Sequence, residues 1–144
     1  MSAIMPTYGR LPVSFASGNG AHLYDQKGLQ YIDALSGIAV TNIGHSHPNV
    51  TRAVQEQAET LIHTSNLYGI AQQERLAAEL TQLTGMENAF FCNSGAEANE
   101  TAIKVARRHG RNKGIETPHI IVLEGAFHGR TMGALSATGN AAIQ

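Results

Sequence analysis

The chain has 144 residues, a formal net charge of −1, and 15% charged against 42% hydrophobic residues. That balance excludes an intrinsically disordered chain, and it gives no electrostatic basis for binding nucleic acid or an anionic membrane surface. A single cysteine, Cys92, excludes an internal disulfide, and the length allows one domain with a sizeable core.

No apolar run reaches membrane-spanning length, and Met1–Pro6 lacks the basic and apolar regions of a signal peptide. A cytoplasmic protein with no membrane partner is the expectation. Residues 1–37 carry strand and turn signals. Pro12–Ala16 reads as a strand, Ser17–Gly20 as a turn, Ala21–Asp25 as a second strand, Gln26–Gly28 as a turn and Leu29–Asp33 as a third strand. Together they predict a small antiparallel meander. Gly18-Asn19-Gly20 is not a dinucleotide fingerprint, because a third glycine and a following helix are missing.

Gly44-His45-Ser46-His47-Pro48 brings two histidines together, which is half of a tetrahedral metal site without a Cys or carboxylate cluster beside it. The better reading is a loop entering a helix with Pro48 in its first turn, and no metal is expected. Val50, Ala53, Val54, Ala58, Leu61 and Ile62 then fall at helical spacing, opposite a polar face of Arg52, Glu56 and Glu59. Residues 63–69 read as a connector. A second helix runs from Gln72 to Thr84, with Leu76, Ala77, Leu80 and Leu83 on one face and Gly85 as its stop.

The centre of the chain is Cys92-Asn93-Ser94-Gly95-Ala96-Glu97-Ala98-Asn99-Glu100. The apolar run Ala89–Phe91 before it predicts a short buried strand. Ala98, Ala102, Ile103, Val105 and Ala106 after it predict a helix. A strand, a glycine turn and a helix start make an anion site, because the first helical N–H groups have no internal partner and lie at the positive end of the dipole. Ser94 and Glu97 are equally spaced as a capping box that merely closes the helix end.

Ile120–Leu123 is a continuous apolar run, predicting a strand buried on both faces of a parallel sheet and completing a right-handed βαβ unit. Ligands bind beyond the carboxyl ends of such strands, where Ser94-Gly95-Ala96 and Phe127-His128-Gly129-Arg130 both fall. A phosphate cradle, an aromatic ring, an imidazole and a guanidinium in one crevice suit a flat, phosphorylated aromatic cofactor. Residues 131–139 predict a short helix closed by Gly139.

Asn93–Glu100 followed by Phe127–Thr131 resembles the class III pyridoxal-phosphate-dependent aminotransferases of the ornithine and acetylornithine type. Leu23-Tyr24-Asp25 with Gly28, Tyr31–Val40, Gly44–Pro48 and Ser65–Tyr68 extend the likeness over nearly the whole chain. The resemblance implies an α/β chain: residues 1–37 from the small domain, then residues 38–144 as the first part of the large, mostly parallel-sheet domain of fold type I. It implies pyridoxal 5′-phosphate as cofactor, held by the Gly95 and Ala96 N–H groups with Ser94 close by. Phe127 would lie on the pyridine ring, and His128 would line the ring or bond the loop. Arg130 would take the α-carboxylate of N2-acetylornithine, whose distal amino group passes to 2-oxoglutarate in arginine biosynthesis. Ornithine, succinylornithine or 4-aminobutyrate are alternative donors, and a stand-alone phosphate-binding module is the reading from another class.

The resemblance also implies what this chain lacks. In the family, the Schiff-base lysine and the Asp that keeps the pyridinium protonated lie beyond residue 144. Lys27, Lys104 and Lys113 are not placed to replace the lysine. No catalytic residue is therefore expected here. The chain alone is expected to be inactive and to self-associate, and the full-length protein to be a homodimer.

Overall fold

The predicted meander forms. In the computed structural model, which describes residues 3–143, β1 (Phe15–Asn19), β2 (His22–Asp25) and β3 (Gln30–Ile32) make an antiparallel sheet in the order β1-β2-β3. The turn assigned to Ser17–Gly20 is corrected: Ser17, Gly18 and Asn19 continue β1, Asn19 pairs with His22, and only Gly20 and Ala21 connect the strands. Gly18 is in the strand for a packing reason. The His45 ring lies over it, and a Cβ at residue 18 would sit 2.7 Å from the ring's Cγ. Phe15 and Tyr31 meet edge to face across the sheet, with centroids 5.3 Å apart.

Beyond β3 comes α1 (Ser36–Ala39), a single turn of the left hand. Ser36, Gly37, Ile38 and Ala39 have φ of 52°, 62°, 61° and 61°. Left-handed backbone costs an L-residue about 1–2 kcal/mol, so three of these four residues are strained. The turn closes through bonds from Ala39 N–H to the Leu35 carbonyl (3.1 Å) and from Val40 N–H to the Ser36 carbonyl (2.8 Å). Next is α2 (Pro48–Thr60), with Pro48 in its first turn as expected. Its apolar stripe stays open to solvent, from Val50 to Ile62.

These elements belong to the first of two compact units, Met1–Leu67; the second is Tyr68–Gln144. In the second unit, α3 (Ala71–Thr84) ends on Gly85, whose φ of 71° is left-handed and whose N–H bonds the Thr81 carbonyl at 2.9 Å. Then follow α4 (Gly95–Asn112) and α5 (Met132–Ser136), which pack against each other. Ala134 in α5 and Thr138 just beyond it are the buried side chains among the described residues.

Two expectations fail here. Ala89–Phe91 and Ile120–Leu123 form no strand, so the βαβ unit is absent among the described residues. The run meant to be buried on both faces is open, with Ile121 97% and Leu123 79% exposed. The reason is pairing. A strand is held by the N–H and C=O groups of a neighbour, and no described segment supplies a ladder to either run. The sizeable core fails with them: Ala134 is the one buried hydrophobic side chain among the described residues. No described helix is long and apolar enough to cross a membrane.

Candidate cofactor and substrate site

The site is built on the first turns of α4. Ser94 is the N-cap, extended at φ −156° and ψ 158°, and its Oγ accepts the Glu97 N–H at 3.2 Å. Glu97 reaches back, its Oε2 accepting the Asn93 N–H at 2.7 Å. The capping box is thus real. It satisfies two donors and leaves the Gly95 and Ala96 N–H groups without a partner among the described residues. Those two amides are the donors that an anion would meet at this helix end. The Ser94 hydroxyl proton has only a long contact, 3.4 Å to Glu97 Oε2, and can turn toward a ligand instead. Cys92 is exposed beside this turn, its Sγ 3.4 Å from the Ser94 carbonyl.

Against this helix end lies the loop 127–131. Gly129 is buried at φ 130°, and a Cβ there would be 2.8 Å from the Ala96 Cβ and 3.0 Å from the Ala134 Cβ. Only glycine lets the loop backbone come this close. The Asn99 amide donates to the His128 carbonyl at 2.6 Å. Thr138 Oγ1 accepts the His128 N–H at 3.1 Å and lies 3.1 Å from the Ala134 carbonyl, the acceptor for its own proton. The loop is therefore fixed by side-chain bonds to its backbone, and the sequence-predicted residues come together: Ala96 touches the loop that carries Phe127, His128 and Arg130.

Within the loop, the Arg130 guanidinium carbon stands 5.5 Å from the centroid of the Phe127 ring, a cation–π contact. Phe127 is 62% exposed. The predicted buried strand does not enclose it, and it offers a flat apolar face to a ligand. The His128 ring carries a buried Nδ1 with no hydrogen-bond partner among the described residues. Such an atom is costly unless something bonds to it. Two open amides at a helix start, an open aromatic face, a guanidinium and an unsatisfied imidazole nitrogen fit a phosphorylated aromatic cofactor with a carboxylate-bearing substrate.

Three residues of the site were not assigned roles from the sequence: Asn99, Glu100 and Thr138. Glu100 Oε1 accepts from Thr131 Oγ1 (2.6 Å), Gly133 N–H (2.9 Å) and Ala134 N–H (3.2 Å). The Thr131 hydroxyl, then the Ala134 and Gly133 N–H groups, hold its carboxyl below the usual range against the opposing effect of burial, and the Lys104 charge adds to the lowering. The remaining signal in the sequence was the Asn99-Glu100 pair itself, one turn into the helix.

In the first unit, His45 is engaged by a carboxylate. Its Nε2 meets Asp33 Oδ2 at 2.6 Å, with the Asp33 side chain 8% exposed. Asp33 Oδ1 also accepts the Leu35 and Ser36 N–H groups at 3.0 and 2.8 Å. His45, then the Ser36 N–H, hold the Asp33 carboxyl below its usual range, against some desolvation. No group of three His, Cys, Asp or Glu side chains suited to a metal occurs among the described residues.

Comparison with known proteins gives one consistent result. The profile of the family described as Aminotransferase class-III matches residues 4–144. The acetylornithine aminotransferase of Nitrosomonas europaea is 61% identical over 144 residues, which is 100% of this chain and 37% of that protein. Among solved structures, the ornithine aminotransferase of Toxoplasma gondii superposes with a TM-score of 0.86 at 29% identity, covering 96% of this chain and 33% of that one. The N-acetylornithine aminotransferase of Stenotrophomonas maltophilia gives a TM-score of 0.77 at 41% identity, over 85% of this chain and 34% of that one. The chain thus spans little more than a third of the length of the curated relative it matches.

Proposed function

This chain belongs to the class III aminotransferases, enzymes that depend on pyridoxal phosphate, and from that membership we propose that it is the N-terminal part of an acetylornithine aminotransferase. The reaction proposed moves the distal amino group of N2-acetylornithine to 2-oxoglutarate, in arginine biosynthesis. The observation that carries the reading is the seating of the 127–131 loop on the start of α4, with Asn99 Nδ2 at 2.6 Å from the His128 carbonyl. The donor is chosen on the 61% identity to the Nitrosomonas europaea protein.

Bound pyridoxal phosphate supplies an electron sink for the substrate's reacting carbon. The residues here bind and orient. The Gly95 and Ala96 amides hold the phosphate, with the Ser94 hydroxyl as a third donor. Phe127 would pack on the cofactor's aromatic ring and exclude water from it. His128 Nδ1, which has no partner among the described residues, would be available to bond the bound group. Arg130 grips the substrate α-carboxylate with two parallel hydrogen bonds, which leaves the distal amine directed to the cofactor. The lysine that bonds the cofactor and the acid that keeps its ring protonated belong, in this reading, to the part of the relatives that this chain does not span. Residues 1–37 belong to the small domain and 38–144 begin the large one. The whole enzyme is a cytoplasmic homodimer, and this chain alone is inactive.

The test uses the full-length enzyme. It takes up pyridoxal phosphate and forms glutamate from acetylornithine and 2-oxoglutarate. Arg130→Lys raises KM for acetylornithine about 10- to 100-fold, as for a lost charged hydrogen bond. Preferential turnover of 4-aminobutyrate would overturn the donor, and enzyme-like turnover by the 144-residue chain would overturn its inactivity.

A further inference from the structure

We propose that Glu100, with Asn99 beside it, is a positioning residue that fixes the loop bearing Phe127 and Arg130 at the cofactor site; this rests on the aminotransferase reading above. The two residues are consecutive on α4, and each takes hold of a different part of the loop. Asn99 bonds the His128 carbonyl at 2.6 Å. Glu100 collects Thr131 Oγ1, Gly133 N–H and Ala134 N–H on one carboxylate oxygen, at 2.6, 2.9 and 3.2 Å. Gly129 and Arg130 are thus bracketed by bonds from one rigid helix, with Phe127 directly before the first of them, and the first amides of that helix are the proposed phosphate donors.

The local structure depends on this carboxylate. α5 has five residues, and its N-cap, Thr131, makes no side-chain cap of its own. So short a helix does not hold by itself, and its first N–H groups require an outside acceptor. Glu100 is that acceptor, supplied from another helix and carrying the charge that a helix start favours. Residue 133 is glycine to admit it, since a Cβ there would stand 2.5 Å from Glu100 Oε2. Among the described residues, no strand ladder holds the segment that leads into the loop. Release of Glu100 therefore leaves the loop held only at its His128 end, and a displacement of about 1 Å costs about a hundredfold in a catalytic site.

The experiment uses the full-length enzyme in four variants: Glu100→Ala, Glu100→Gln, Thr131→Val and Thr131→Ser. Pyridoxal phosphate is titrated into the apoenzyme, kcat and KM for acetylornithine are measured on the holoenzyme, and apoenzyme melting is followed in parallel. Glu100→Ala and Thr131→Val each weaken cofactor binding and raise KM, by about 10- to 100-fold. Thr131→Ser keeps the hydroxyl and restores both, and Glu100→Gln falls between. Thr131→Val leaves the Gly133 and Ala134 bonds in place, so it decides the matter if Glu100→Ala does not fold. Variants that melt lower but bind cofactor and substrate as the wild type does would show that Glu100 only stabilises the fold, and would overturn the inference alone. A wild-type protein that takes up no pyridoxal phosphate would overturn the aminotransferase reading and this inference with it.

Discussion

The two units each pin a turn with one carboxylate, and they do it differently. Asp33 spends one oxygen on the Leu35 and Ser36 N–H groups, two and three residues ahead, and the other on His45. Glu100 places three donors on one oxygen, all from residues 31 to 34 positions away. The near clamp holds a left-handed turn that its residues resist, and the remote clamp holds a right-handed turn too short to hold itself. A carboxylate close in sequence can impose an unfavourable local conformation. One far away closes a long loop instead, and so brings distant groups to one place.

The broadest effect expected is with acid, which acts on both units. Both carboxyls are held below their usual values. The stability they contribute is present in full above the unfolded values, near pH 4, and is lost as pH falls through the lower folded values. Circular dichroism against pH should show both units loosening below about pH 4. Asp33→Asn and Glu100→Gln should each flatten part of that acid limb, and a limb abolished by one of them would show that the clamps are unequal.

Next comes Gly129→Ala. It adds a Cβ 2.8 Å from the Ala96 Cβ at a φ of 130°. Strain and overpacking together cost roughly 2–4 kcal/mol, read as a lower urea midpoint. A silent substitution would mean that the loop does not rest on α4. Ser94→Ala removes the N-cap of α4 and costs about 1 kcal/mol, seen as lost helicity on the same urea scale. The smallest change is a gain. Ile38 is 80% exposed and left-handed, so Ile38→Gly relieves strain and stabilises by about 0.5–1 kcal/mol after the added chain entropy of glycine. Destabilisation instead would show that the Ile38 side chain is needed where it lies.

What the sequence disclosed follows the same division between near and far. The Pro48 start of α2, the Gly85 stop of α3, the Ser94–Glu97 box and the meander are all written within a few residues, and all form. The boundary of β1 was misread because Gly18 signals a turn locally, whereas its reason is the His45 ring, 27 positions on. The strands at 89–91 and 120–123 were misread because composition states a capacity for pairing and not the presence of a partner. The Gly95–Ala96 donors were legible from the helix start. The clamp by Asn99, Glu100 and Thr138 was not, since no local pattern tells an amide or carboxylate on a helix which distant backbone it will meet.

The turn at Ser36–Ala39 has a further consequence, in stereochemistry. Four successive residues with positive φ trace the mirror image of an ordinary helical turn. A residue of D configuration prefers that region as strongly as an L-residue avoids it. Semisynthesis placing D-alanine at Gly37 would therefore meet no backbone penalty and would narrow the unfolded ensemble, whereas L-alanine at the same position would work against the turn. The two enantiomers, equal in composition and mass, would shift stability in opposite directions.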